Sequence, residues 1–376
     1  MNEAQPFRAD HVGSLLRPAE VRVARADHSA GRIDAAQLAA IEDRAIERLI
    51  ARQEALGLKA ITDGEVRRES WAADFLCGLE GTTTVLLKPL IAAHGAHEAA
   101  AARPMKSATV TAKIGFSARH PMLQHFRFLR EHTRAAAKMT IPAPAMMVSA
   151  SRDWRQIIST RIYPDIREFY HDLGLAYRQA VQAFYDAGCR YLQFDDVNLA
   201  YFCDPNTRAQ LQARGDDPDA LLKIWVDVVN AAIRGRPADM TIATHICRGN
   251  FRSSWFASGG YEPIADALFN QFDYDGYFLE YDSERAGGFE PLRFVPKGRK
   301  RVVLGLVTSK TGELEDQRRI RERIEAAARH VALGQLCLSP QCGFASTEHG
   351  NLLDEEQQWA KLGEVVQIAR EVWKDA

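Results

Sequence analysis

The chain has no excess of charge of either sign. Its 376 residues carry 48 Lys+Arg against 49 Asp+Glu, a formal net charge of −1. That excludes the basic footprint of a nucleic-acid binder and the acidic run of a solvating segment. No apolar run approaches the roughly 18 residues needed to cross a bilayer. The opening stretch MNEAQPFRADHVGS lacks the apolar core of a secretory signal. The expectation is a cytoplasmic protein that acts on small molecules, without nucleic-acid or membrane partners and with a homo-oligomer left open. Cysteine is scarce: six residues, at 77, 189, 203, 247, 337 and 342. In a reducing compartment such a set reads as thiols or metal ligands rather than disulfides. No G-x-G-x-x-G follows an early strand, which argues against a dinucleotide-binding opening. No Ser- or Cys-based triad is apparent.

What is present is a repeated grammar. Residues 34–56 read as an amphipathic helix with Asp34 as N-cap and Gln37 completing a capping box. Gly57 stops it, and an apolar stretch then leads to Asp63, Gly64 and Glu65. The pattern recurs at 165–196, ending in Asp195 and Asp196, and at 321–343, where the helix is expected to run to about Gly334 before QLCLSP and Cys342. Helix, glycine stop, short apolar strand and polar residues at the strand's C-terminal end form the unit of an α/β protein. Candidate strands lie near 7–10, 58–62, 138–142, 190–194, 240–244, 276–280, 301–307 and 335–340. Eight of them suit a (β/α)8 barrel in one domain covering 1–376. Residues 82–89 and 108–114 are β-rich and break the alternation, so a hairpin-like insertion is expected at about 80–120 after strand two, with the Ala-rich stretch 92–102 as a loop.

A barrel carries its chemistry at the C-terminal strand ends. There the chain places His245 and Cys247 in THICRGN, Glu280 in FLEYD and Cys342 in LSPQCGF. Residues i and i+2 of an extended segment point the same way, so His245 and Cys247 can share one ion. With Glu280 and Cys342 they make a tetrahedral shell suited to Zn2+. Asp282 is the rival carboxylate, and each residue could instead be an ordinary rim or packing group. Cys77, Cys189, Cys203 and Cys337 read as structural.

Taken together, RADHVGSLLRP (8–18), TDGEVRR (62–68), LQFDD (192–196), THICRGNF (244–251), FLEYD (278–282), VTSK (307–310) and LSPQCGF (338–344) resemble the catalytic zinc barrel of cobalamin-independent methionine synthase, in its short single-barrel form. The resemblance covers nearly the whole chain. It implies zinc ligands at His245, Cys247, Glu280 and Cys342, and contacts to the amino-acid thiol at Ser14, Glu65 and Asp195. It implies methyl transfer from a methyltetrahydropteroylglutamate-type donor to homocysteine, giving methionine. The residues agree in type: a hydroxyl after Gly13 suits a carboxylate, and two acids suit an ammonium. Ser14 could also be a helix cap, and the acids rim ion pairs. Arg8 and Arg248 are candidates for an anionic group. His11 and Lys310 are the candidate proton carriers.

Two departures bear on the methyl donor. Where the family has a tryptophan after the third strand, this chain reads IPAPAMMVS (141–149), and the nearest tryptophan in that stretch is Trp154; Met146 and Met147 offer a soft wall. Where the family has a histidine after the seventh strand, it reads VTSK. The expectation is that methyltetrahydrofolate is used slowly or not at all, and that a more reactive methyl donor, such as a methylcorrinoid or a sulfonium compound, is preferred. Alternatives are another electrophile, such as an epoxide, or a zinc- or thiol-binding module without catalysis.

Overall fold

The computed structural model describes residues 5–90, 93–95 and 103–376. Nine strands are assigned within them: β1 (Ala60–Ile61), β2 (Glu80–Leu87), β3 (Met105–Gly115), β4 (Ala136–Pro142), β5 (Tyr191–Asp196), β6 (Thr241–Ile246), β7 (Gly276–Glu280), β8 (Arg301–Val307) and β9 (Leu336–Pro340). Seven form one curled parallel sheet in the order β1-β4-β5-β6-β7-β8-β9. The expected first strand is present as an extended segment beside β9. Asp10 N donates to Leu338 O at 3.0 Å, and Leu338 N donates to Arg8 O at 2.8 Å. On its other side Thr62 Oγ1 donates to Gly13 O at 2.7 Å, which brings the segment back to the first strand of the sheet. The α/β barrel plan expected from the sequence is the plan observed.

Alternation along the strands sorts the side chains. Tyr191, Ala243, Phe278, Val303 and Cys337 form one interior apolar layer with Phe7, Val12 and Ala60. Their outward neighbours, such as Leu192, Ile242 and Leu279, join the larger core beneath the helices. Two residues further along the same inward faces lie Gln193 and then Asp195, with His245 and Glu280 on the next strands. The register aligns Pro142 with Asp195, and Asp195 with His245. One apolar layer therefore forms the floor of a polar rim.

That floor holds one buried ion pair. Lys138 Nζ lies 3.1 Å from Asp10 Oδ1 and donates to His11 O at 2.6 Å. Tyr191 OH donates to the other Asp10 oxygen at 2.9 Å.

The helices follow their caps. Asp34 and Gln37 make the expected capping box for the helix Ala35–Leu56, and Gly57 ends it with φ 88°. The long helix Ile166–Asp186 starts at Asp165. One boundary differs: the helix before the last strand is Gln317–Ala328, and Gly334 sits in a separate 3-10 turn, Leu333–Gln335. The chain leaves the helix at Arg329 and buries Val331 before reaching that turn.

The insertion after the second barrel strand is a hairpin. β2 and β3 pair antiparallel from Glu80↔Gly115 to Leu87↔Met105. The Ala-rich stretch 92–102 lies mostly outside the described residues. Within it His94 exchanges backbone hydrogen bonds of 2.7 and 3.0 Å with Trp255, tying the insertion to the loop after β6. Among the described residues no helix is long and apolar enough to cross a membrane.

Candidate functional site

His245, at the end of β6, and Cys247 just beyond it meet Glu280 at the end of β7 and Cys342 just after β9. One ligand atom from each lies within 4.8 Å of the others, and all four residues are buried. The two sulfurs are 3.5 Å apart. A tetrahedral ion with bonds near 2.3 Å to sulfur would separate two thiolates by about 3.7 Å. Both ring nitrogens of His245 are buried without a hydrogen-bond partner. Buried polar atoms are rarely left so, and a metal would satisfy one of them. The donor set therefore fits a zinc-type cation.

The electrostatics point the same way. The hydrogen bond between the two thiols, with His245 beside it, holds the Cys247 thiol down at about 5 despite burial. Gly249 N and Asn250 N also donate to that sulfur, at 3.2 and 3.4 Å. Gly249 makes this turn possible: its φ is 85°, and a Cβ there would stand 2.6 Å from the Phe256 ring. The same hydrogen bond and burial push Cys342 well above the usual thiol range. One proton is thus shared by the pair, and a dication between them would displace it. Burial would raise the Glu280 carboxyl, but the charges of Lys310, Arg285 and His245 outweigh it and hold the group at about 2. Its oxygens accept from Arg248 N at 2.7 Å and Arg285 at 2.9 Å.

A small pocket opens beside the cluster. Ser14, Glu65 and Asp195 line it together with His245, Cys247 and Cys342. Ser14 Oγ accepts from Ala345 N at 3.3 Å. Gly343 packs so closely that a Cβ would lie 1.9 Å from that oxygen, so this wall needs glycine. Glu65 has φ 57°, a left-handed conformation that a non-glycine residue adopts at a cost. Thr140 Oγ1 donates to its Oε1 at 2.7 Å, and Arg68 lies 3.3 Å from its Oε2. Asp195 Oδ1 accepts from Gln193 Nε2 at 2.6 Å. Burial, partly relieved by His245 and reinforced by Glu65, pushes Asp195 up to about 7.

The other residues singled out from sequence lie elsewhere. Asp282 is outside the cluster, paired with Arg285 at 2.7 Å and accepting from Thr308 at 3.1 Å. Arg8 binds Asp375 at 3.0 Å. Arg248 is fully buried, its guanidinium 4.8 Å from the centre of the Tyr261 ring. His11 does not line the pocket. Its Nε2 contacts the Ala60 carbonyl at 3.1 Å, and burial and Lys138 hold the imidazole down at about 4, so it is neutral. The Lys310 ammonium is buried without a hydrogen-bond partner, and its charge acts on Glu280 and Cys342.

Sequence reasoning missed Trp71. It lines the pocket and also a neighbouring cleft of about 220 Å³, which shares Val197, Gly249 and Asn250 with it. Met146 and Met147 line that cleft as anticipated; Trp154 does not.

Comparison with known proteins agrees with this architecture. Residues 7–371 match the family model described as "Cobalamin-independent synthase, Catalytic domain". An uncharacterized protein, YxjH, from Bacillus subtilis is 48% identical over 370 residues, covering 98% of this chain and 95% of the relative. A 5-methyltetrahydropteroyltriglutamate–homocysteine methyltransferase from Mesorhizobium japonicum is 23% identical over 90% of this chain, which spans only 39% of that longer protein. The crystal structure of a putative vitamin-B12-independent methionine synthase from Listeria monocytogenes superposes with a TM-score of 0.77 at 41% identity, covering 99% of both chains. A B12-independent methionine synthase from Shewanella sp. W3-18-1, in complex with selenomethionine, shares the fold with a TM-score of 0.70 at 17% identity, covering 98% of both chains. The chain belongs to the family defined by the catalytic domain of the cobalamin-independent synthases.

Proposed function

We propose that this protein methylates the sulfur of homocysteine, or of a closely similar amino-acid thiol, to give methionine at a zinc ion held by His245, Cys247, Glu280 and Cys342. The observation that carries the reading is convergence: His245, Cys247 and Cys342 of the four-residue cluster line one pocket together with Ser14, Glu65 and Asp195, the residues suited to an amino acid. Zinc bound there supplies a Lewis acid that lowers the pKa of an arriving thiol and keeps its sulfur nucleophilic.

The chain's own residues do the rest. Asp195 and Glu65 receive the substrate ammonium, each anchored from behind by Gln193 or by Thr140 and Arg68. Ser14 receives the carboxylate at the wall formed by Gly343. Glu280 stays ionised because Lys310 and Arg285 flank it, so it would hold the ion as a carboxylate while paired with Arg285. Among the two candidate proton carriers, Lys310 lies beside the cluster, whereas His11 is bonded to the Ala60 carbonyl. We therefore assign His11 to the floor and proton handling near the metal to Lys310.

The test is incubation of zinc-loaded protein with homocysteine and a panel of methyl donors, read by mass spectrometry of the amino acid and by elemental analysis. One zinc per chain and a gain of one methyl on homocysteine are expected. Bound zinc and bound homocysteine with no methylation from any donor would refute the reading.

A further inference from the structure

We infer that the cleft beside Trp71 holds a methyl donor of the onium-carboxylate class, a sulfonium whose positive centre rests among Trp71, Tyr201 and Met146 while its carboxylate reaches Lys88 and Arg152. The inference rests on the thiol-methylation reading and names the second substrate of the same site.

The first observation is placement. Trp71, Tyr201 and Met146 pack against Cys247, Cys342 and Val197, so the aromatic end of the cleft adjoins the thiolates. Met146 is held there, its Sδ accepting from Val197 N at 3.3 Å. Aromatic faces stabilise an onium charge by attraction to the ring quadrupole, most strongly where water is excluded.

The second observation is charge. Among the described residues the cleft wall contains Lys88, Lys106 and Arg152 and no Asp, Glu or His. Lys106 is paired with Glu69. Among the described residues Arg152 donates to neutral oxygens only, of Gln156 at 3.1 Å and Lys88 at 2.6 Å. Lys88 and Arg152 belong to the large cleft and not to the thiol pocket. A donor with positive charge alone would be repelled by this wall. One that also carries a carboxylate is complementary at both ends.

The third observation concerns the leaving group. Methyl transfer from a tertiary amine needs a proton on the departing nitrogen. Among the described residues the wall offers no carboxylic acid or imidazole. A sulfonium needs no proton. The homocysteine sulfur contributes the electron pair of the new S–CH3 bond. The old CH3–S+ bond breaks with its pair going to the departing sulfur, which leaves as a neutral thioether. The thiol proton passes to solvent water beforehand, when the thiolate forms.

The test uses the intact zinc-loaded protein. Calorimetry compares dimethylsulfoniopropionate with its uncharged carbon isostere, 4-methylpentanoate. The sulfonium is expected to bind about tenfold or more tightly. Trp71→Leu should bring the two within about twofold of each other, Trp71→Phe should keep part of the preference, and Lys88→Glu should weaken both several-fold alike. In parallel, kcat/KM at saturating homocysteine is expected to be at least tenfold higher for dimethylsulfoniopropionate than for methyltetrahydrofolate. Equal binding of the two isosteres, or a larger kcat/KM for methyltetrahydrofolate, overturns the proposal. Absence of methylation from every donor would sink the methyl-transfer reading alone, since the isostere comparison still decides what the cleft holds.

Discussion

Replacing Asp195 by Asn tests the thiol pocket most directly. The change is nearly isosteric and leaves one hydrogen bond intact, because Gln193 Nε2 can still donate, at about the same distance of 2.6 Å, to the side-chain carbonyl. The amide nitrogen then occupies the position of the second oxygen and presents two donors where the carboxylate presented an acceptor. An arriving ammonium loses a charge-assisted hydrogen bond worth about 1.5–3 kcal/mol. That corresponds to a rise of about 10–150-fold in the homocysteine KM. Asp195 is not one of the four cluster residues, so zinc content should not change. The assay is steady-state kinetics with homocysteine and with a thiol of similar length that lacks the amino group. Wild-type protein should prefer homocysteine strongly, and Asp195→Asn should lose most of that preference. An unchanged KM in the variant, or equal use of the two thiols by the wild type, would refute the assignment of Asp195 to the ammonium.

Other outcomes follow from the same geometry. Cys342→Ala should leave less than about a tenth of the zinc bound after dialysis, whereas Glu280→Gln, which keeps both thiolates, should retain more; elemental analysis decides, and full occupancy in Cys342→Ala would exclude this ligand set. Glu364 is pushed up to about 7 by burial and by Glu315, and one of its oxygens has no partner. Its folded-state pKa exceeds its unfolded value, so it favours the folded state at low pH and that benefit disappears as pH rises through about 7. Glu364→Gln should therefore add about 1 kcal/mol of stability at pH 8, a figure well below the full shift because part of the charge is screened, and nothing at pH 4; denaturant melts at the two pH values check it. His11, held down at about 4, has the opposite sign. Its contribution is complete above about 6.5 and is lost as pH falls through 4, roughly 3 kcal/mol in all. His11→Asn should flatten the acid limb of the stability–pH curve, and an unchanged limb would show that His11 is not buried neutral.

The barrel was legible in the sequence because parallel strands buried on both faces are short apolar runs, and each here ends in polar residues. The clustering of the candidate ligands was legible for the same reason: once strands are counted, His245, Glu280 and Cys342 fall on the rim. The first strand was the weakest, since its backbone pairing is confined to the neighbourhood of Leu338. The end of the helix Gln317–Ala328 was misplaced because a glycine several residues beyond resembled its stop. Trp71 was not legible. It lies in the loop after the second strand, and only the folded turn around Glu65 and Arg68 brings it against Val197 and Cys247 from other loops. Nor could the sequence show that Thr140 and Arg68 hold Glu65, because such contacts depend on which rim loops face each other.

The junction between the first segment and β9 bears on synthesis at the ribosome. Residues 8–10 are paired with Leu338, and the Arg8 guanidinium reaches Leu336 O at 2.8 Å and Asp375 at 3.0 Å. More than 300 residues separate these partners along the chain. At about 5–20 residues per second, the leading segment waits roughly 15–65 s before its neighbour emerges. Until then Asp10 lacks its backbone partner on β9, and the floor of the barrel is open along one side. The nascent chain therefore presents an unsealed sheet edge for most of its translation, and this seam is where a chaperone or a misfolded neighbour would find its foothold.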